Sequence, residues 1–157
     1  MFIHRILHRF LELNDVSQAI EFASNYSHLD YFTHILELLL HDILENEADN
    51  PPPEEGYICQ FPLSNYVEAH LPRVIQLLEY FPCDMLDVVV GCTRKTEVRL
   101  WRYLFRYAGR PKDLYEQCME RNMLKSAGGY LLVLHTLEHL KDSSQVTLIA
   151  HDDADSM

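Results

Sequence analysis

No two of the four cysteines, Cys59, Cys83, Cys92 and Cys118, stand in a C-x-x-C pair. The zinc ribbons and dithiol redox motifs that need this spacing are therefore disfavoured, and the cysteines read as reduced, mostly buried small hydrophobes. Positive charge is scarce, with 13 Lys and Arg against 24 Asp and Glu, a formal net charge of −11. A phosphate backbone demands a positive face, so bulk nucleic-acid binding is disfavoured too. Apolar runs stay well short of the roughly 20 residues of a membrane span. Met1 to Leu13 carries His and Arg through its apolar pattern, unlike the core of a secretory signal. The expected compartment is reducing and cytosolic.

Recognisable catalytic motifs are missing as well. There is no G-x-S-x-G elbow, no phosphate-binding loop and no G-x-G-x-x-G after a strand. His4 and His8, and again His135 and His139, have the spacing that can bring two imidazoles to one metal on a helix. Glu138 is misplaced for a H-E-x-x-H protease, however, and surface or capping histidine is the favoured reading. The expectation is no catalytic residue, no metal and no cofactor. A small metal-dependent enzyme is the least favoured of three readings.

What is present is helical periodicity. The chain has 157 residues, 48% of them hydrophobic, enough for one domain with a real core. Phe2, Ile3, Ile6, Leu7, Phe10 and Leu13 recur at helical spacing. Asp15 can cap a second helix striped by Val16, Ala19, Ile20 and Ala23. Ile35 to Leu44 is apolar nearly all round, as in a helix with neighbours on several sides. Residues 46–56 are acidic, contain Pro51-Pro52-Pro53 and read as a solvated loop. Leu71 to Phe81 resumes helical spacing with Pro72 in the first turn, Pro82 ends it, and Met85 to Cys92 follows. A later helix is marked by Leu124, Ala127, Leu131 and Leu134; Gly128-Gly129 within it predicts close backbone packing. Ser143 and Ser144 read as caps of a further, cut-off helix before an acidic end. Asn14, Val16 and Ala19 are echoed by Asn122, Leu124 and Ala127 at one fixed offset. Convincing strand alternation is absent. The expected fold is all-α, an α-solenoid-like array of paired antiparallel helices. It occupies residues 1–141, with a truncated helix and acidic tail at 142–157.

The chain is organised around Cys92 to Cys118, CTRKTEVRLWRYLFRYAGRPKDLYEQC. Val98, Trp101, Leu104, Phe105 and Ala108 form one face of a helix, and Trp101 is the chain's single tryptophan. Lys95, Arg99, Arg102 and Arg106 form a second, basic face. Gly109 suits the turn after the helix, and Pro111 the first turn of the next. The basic face is either a solvated surface paired with acidic neighbours or a docking face for an acidic protein or anionic lipid.

This stretch resembles the C-terminal helical region of the ribosome control protein (Ric-one) family. The resemblance runs through Cys92, Arg94, Lys95, Thr96, Glu97, Leu100, Trp101, Tyr103, Leu104, Phe105, Gly109, Pro111, Lys112, Asp113, Leu114, Glu116 and Cys118. Upstream it takes in Tyr31-Phe32, His34, Leu36-Glu37-Leu38, Leu40-His41, Leu44-Glu45, Glu47-Ala48, Leu71-Pro72, Val74 and Phe81-Pro82; downstream, Ala127, Tyr130-Leu131, Leu134 and Glu138. Arg102 and Arg106 lie outside the pattern. The resemblance implies a helical part of the large subunit of a two-subunit guanine-nucleotide exchange factor. The implied partners are a smaller arrestin-like subunit, a Golgi Rab GTPase of the sixth subfamily and the peripheral Golgi membrane. The implied process is endosome-to-Golgi retrograde transport. Exchange of this kind is non-covalent, so no catalytic residue is carried over. The family's N-terminal β-propellers are missing, so a fragment or truncated product is expected. The alternative, from another class, is a helical interaction scaffold without exchange activity.

Overall fold

The computed structural model describes residues 2–49 and 69–152, with side chains through residue 141. Eight helices and no strand occur among them: α1 (Ile3–Glu12), α2 (Val16–Tyr26), α3 (Phe32–Asp49), α4 (Leu71–Glu79), α5 (Pro82–Thr93), α6 (Val98–Ala108), α7 (Pro111–Glu120) and α8 (Leu124–Asp152). The fold is an all-α solenoid array. It forms two compact units, Met1–Gly109 and Arg110–Met157.

In the first unit α3 is the central helix. Leu36, Leu39, Leu40, Ile43 and Leu44 lie within it, and all are buried. A helix apolar on so many sides must be surrounded, and α1, α4, α5 and α6 all pack on it. The Val88-Val89-Val90 run is buried within α5, away from any strand partner. Among the described residues no helix is long and apolar enough to cross a membrane.

The corner between α1 and α2 is repeated between α7 and α8. Asn14 and Asn122 both have φ 58, the left-handed region that asparagine tolerates best after glycine. The Asn14 N–H donates to the Leu11 carbonyl and the Asp15 N–H to the Phe10 carbonyl, at 3.1 and 2.9 Å. The Asn122 N–H donates to the Met119 carbonyl and the Met123 N–H to the Cys118 carbonyl, at 3.1 and 2.8 Å. Each is a complete Schellman closure with asparagine at the left-handed position. Asp15 adds a side-chain cap, accepting from the Gln18 N–H at 3.0 Å. The sequence echo therefore marks two copies of one helical hairpin.

Several expectations need correction. The acidic loop expected at 46–56 starts later, because α3 continues through Asp49 and Glu47 is buried; residues 50–56 lie outside the described residues. A Cβ on Gly128 would meet nothing within 4 Å, so no close packing compensates for that glycine. Leu124 and Leu131 are exposed, whereas Ala127, Tyr130 and Val133 are buried. α8 thus buries a face one residue round from the expected stripe. Ser143 and Ser144 do not open a new helix; both lie inside α8. The glycine that does meet a close neighbour is Gly91 in α5, where a Cβ would lie 3.1 Å from Cδ of Glu37.

Candidate functional site

The α6 helix is amphipathic in the strict sense. Trp101, Leu104 and Ala108 are buried, while Arg99, Arg102 and Arg106 are exposed. Indole N–H groups seek a partner when buried, and Trp101 Nε1 donates to the Thr96 carbonyl at 3.3 Å. At the far end of α6, Gly109 has φ 101, which an L side chain rarely adopts. Pro111 then opens α7 in its first turn.

The basic residues do not form one helical stripe. Lys95 lies before α6 begins, in the turn that follows α5, and Glu97 breaks the helical path with ψ 144. Spacing counted from Lys95 therefore has no helical meaning. Its Nζ pairs with Glu37 Oε1 on α3 at 2.6 Å, across the carboxylate that overlies Gly91. Arg99 Nε pairs with Glu97 Oε2 at 2.5 Å. The Arg106 guanidinium stands 6.0 Å from the Tyr107 ring centroid, at the edge of cation–π range. No described side chain forms an ion pair with Arg102. The face therefore consists of three arginines on successive turns of α6, with Arg102 its uncompensated centre.

Glu47 and Tyr103, both among the residues that carry the resemblance, meet in a buried polar hub that helical spacing alone did not mark. The Glu47 carboxylate is 4% exposed. Its Oε1 accepts from the Leu71 N–H at 2.9 Å and also from the His70 N–H. Its Oε2 accepts from the Tyr103 hydroxyl at 2.6 Å. α4 has no side-chain cap of its own. Glu47 supplies that cap from α3, where a carboxylate is favoured by the orphan N–H groups and the positive end of the helix dipole. Tyr103 is thereby held well above the usual phenol range, chiefly by burial and then by the bond to Glu47. The Tyr103 and Tyr107 rings meet edge to face at 5.7 Å, so packed groups run from Glu47 out to Arg106.

Nearby, Arg73 on α4 donates to the Leu11 carbonyl at 2.9 Å, satisfying the C-terminal end of α1. Cys92 is fully buried, and burial, followed by the Glu37 charge, pushes its thiol up to about 12. It is a packing residue, not a nucleophile. His135 and His139 stack edge to face at 5.3 Å. Among the described residues no three His, Cys, Asp or Glu side chains cluster to hold a metal.

The arrangement is that of an α-solenoid region, with a buried polar hub and a charged α6 face in its first unit. A family model described as the RIC1 C-terminal alpha solenoid region matches residues 4–154, and the chain belongs to that family. It is 40% identical over 138 residues to a Mus musculus protein named guanine nucleotide exchange factor subunit RIC1, covering 88% of this chain and 9% of that protein. A Caenorhabditis elegans protein named guanine nucleotide exchange factor subunit R06F6.8 is 38% identical, covering 88% and 8%. A Schizosaccharomyces pombe protein named guanine nucleotide exchange factor subunit ric1 is 32% identical over 132 residues, covering 84% and 11%. The chain thus spans a small part of the length of these relatives. No solved structure matches the chain.

Proposed function

We propose that the chain acts as part of a guanine-nucleotide exchange factor subunit for a Golgi Rab GTPase of the sixth subfamily, in endosome-to-Golgi retrograde transport. Its partners in this reading are a smaller arrestin-like subunit, the GTPase and the peripheral Golgi membrane, and it works from the cytoplasmic side. The observation that carries the reading is the family match over residues 4–154, together with relatives named as exchange-factor subunits. Exchange needs no bond-making. A factor that binds the nucleotide-free GTPase more tightly than the loaded one weakens nucleotide binding by the same ratio. In this reading the solenoid supplies a rigid surface, and Arg99, Arg102 and Arg106 supply a docking face for an acidic partner.

The test is release of a fluorescent guanine nucleotide from the loaded GTPase. It is measured with this chain alone, with the arrestin-like subunit alone, with both together, and with a full-length family subunit plus its partner. The reading expects the chain to bind the partner subunit or the nucleotide-free GTPase in a pull-down. It also expects added chain to compete with the full-length complex for that binding. Absence of binding to both favours a helical scaffold that works elsewhere.

A further inference from the structure

We propose that α3 aims the arginine face. Glu37 and Glu47 clamp α6 and the turn before it at two points, and Glu37, with Lys95 and Gly91, is a positioning residue for Arg102 and Arg106. This role rests on the reading of α6 as a docking face.

One point is Tyr103, whose hydroxyl donates to Glu47 Oε2 at 2.6 Å. The other lies ahead of α6, where Lys95 Nζ pairs with Glu37 Oε1 at 2.6 Å. Glu37 and Glu47 both belong to α3, about 15 Å apart along its axis at about 1.5 Å per residue. A single anchor lets a helix swing about it; two separated anchors fix its direction. The other bonds of the turn are local. Thr96 Oγ1 donates to the Cys92 carbonyl at 3.1 Å, and Trp101 Nε1 to the Thr96 carbonyl. They hold the turn to α5 and α6 but not to α3. Tyr103 stands at i+4 from Arg99 and i−3 from Arg106, so it shares their edge of the helix. A swing of α6 about Tyr103 therefore re-aims the arginines.

Gly91 makes room for the clamp. It lies inside α5, where glycine is costly relative to alanine. A Cβ there would lie 3.1 Å from Cδ of Glu37 and 3.2 Å from both of its oxygens. A side chain at this position would push the carboxylate off its seat. The Glu37 side chain is 16% exposed, and a partly buried pair is screened less by salt than an exposed one.

Charge separates positioning from a field effect. Glu37→Gln removes one negative charge from a chain of net charge −11, so electrostatics alone makes an acidic partner bind more tightly. Loss of the clamp predicts the reverse. α6 then presents its arginines correctly for less of the time, and the apparent affinity falls by that fraction. Gly91→Ala displaces the carboxylate with no change of charge and should act in the same direction.

The experiment takes two readings on the full chain: amide hydrogen exchange of α6, and affinity for the nucleotide-free GTPase and the arrestin-like subunit used above. In Glu37→Gln and in Gly91→Ala the α6 amides should exchange faster and the Kd should rise, each by about two- to fivefold, the range of a partly exposed ion pair. Glu37→Lys with Lys95→Glu restores the pair and should return exchange toward wild type. Circular dichroism checks folding; if Gly91→Ala unfolds, Glu37→Gln, which adds no atoms, carries the test. Wild-type exchange in the folded variants overturns the clamp. Faster exchange with an unchanged or lower Kd overturns the positioning role. A wild-type chain that binds neither partner overturns the docking reading and the positioning role with it, while hydrogen exchange still decides the clamp.

Discussion

The Tyr103 hydroxyl donates to Glu47 Oε2 at 2.6 Å and ties α6 to α3 through a carboxylate that also caps α4. Three helices thus meet at one charge. A buried carboxylate is tolerated only when its oxygens are satisfied, and here both accept.

Glu47→Ala removes the acceptor for the His70 and Leu71 N–H groups and for Tyr103 together. Each donor left buried without a partner costs about 1–3 kcal/mol, so a loss of about 3 kcal/mol in urea unfolding is expected. Tyr103→Phe leaves the carboxylate with its backbone donors and should cost about 1–2 kcal/mol. The double variant should lose clearly less than the two losses added. A wild-type unfolding midpoint for Glu47→Ala would contradict the hub.

Alkali should destabilise the first unit before any helix surface is affected. The Cys92 thiol is raised from 9.0 to about 12 by burial, and Tyr103 is raised in the same direction. Above pH 9 the unfolded chain loses the thiol proton while the folded chain keeps it. The folded state then holds more protons, so stability falls as pH rises. The Cys92 contribution is fully present below pH 9 and is lost as pH rises through about 12. Replacing Cys92 with Ala should flatten the early part of this decline in melting temperature between pH 8 and pH 11. An equally steep decline in Cys92→Ala would rule the thiol out as its source.

Gly128→Ala should stabilise the chain by about 0.5–1 kcal/mol, since an alanine in a helix interior loses less backbone entropy than glycine. A Cβ there meets no neighbour within 4 Å. A lowered melting temperature would mean that something approaches this glycine closely in solution.

The helices were legible because apolar spacing, prolines at first turns and turn residues all pointed the same way. Pro72 and Pro111 stand in first turns as read, whereas Pro82, read as the end of the helix before it, opens α5. The echo at Asn14 and Asn122 was legible for a local reason: a Schellman corner is written in a few adjacent residues. Glu47 was legible only as one residue of the family resemblance, not as a hub. A glutamate in an acidic stretch reads as solvated, and its real partners lie on α4 and α6, far along the chain. Lys95 misled in the opposite direction, because spacing looks helical whether or not the backbone between Lys95 and Arg99 is. The buried face of α8 was misjudged by one position, since Leu131 is as apolar as Tyr130 and only packing distinguishes them.

The arginine face separates docking from folding most directly. Arg102 and Arg106 are exposed on α6, and exposed ion pairs contribute about 0–1 kcal/mol. Arg102→Glu with Arg106→Glu should therefore leave the melting temperature nearly unchanged. Arg99 is left intact because it already pairs with Glu97. Binding to an acidic partner should fall for the double reversal, mainly through a slower association rate, and the difference from wild type should shrink as salt rises. Surface plasmon resonance at two salt concentrations reads this directly, with the partner subunit, the GTPase and anionic vesicles as separate analytes. If the double reversal unfolds the chain, or if binding to all three analytes is unchanged at low salt, the arginines serve the fold or the solvent, and α6 is not a docking face.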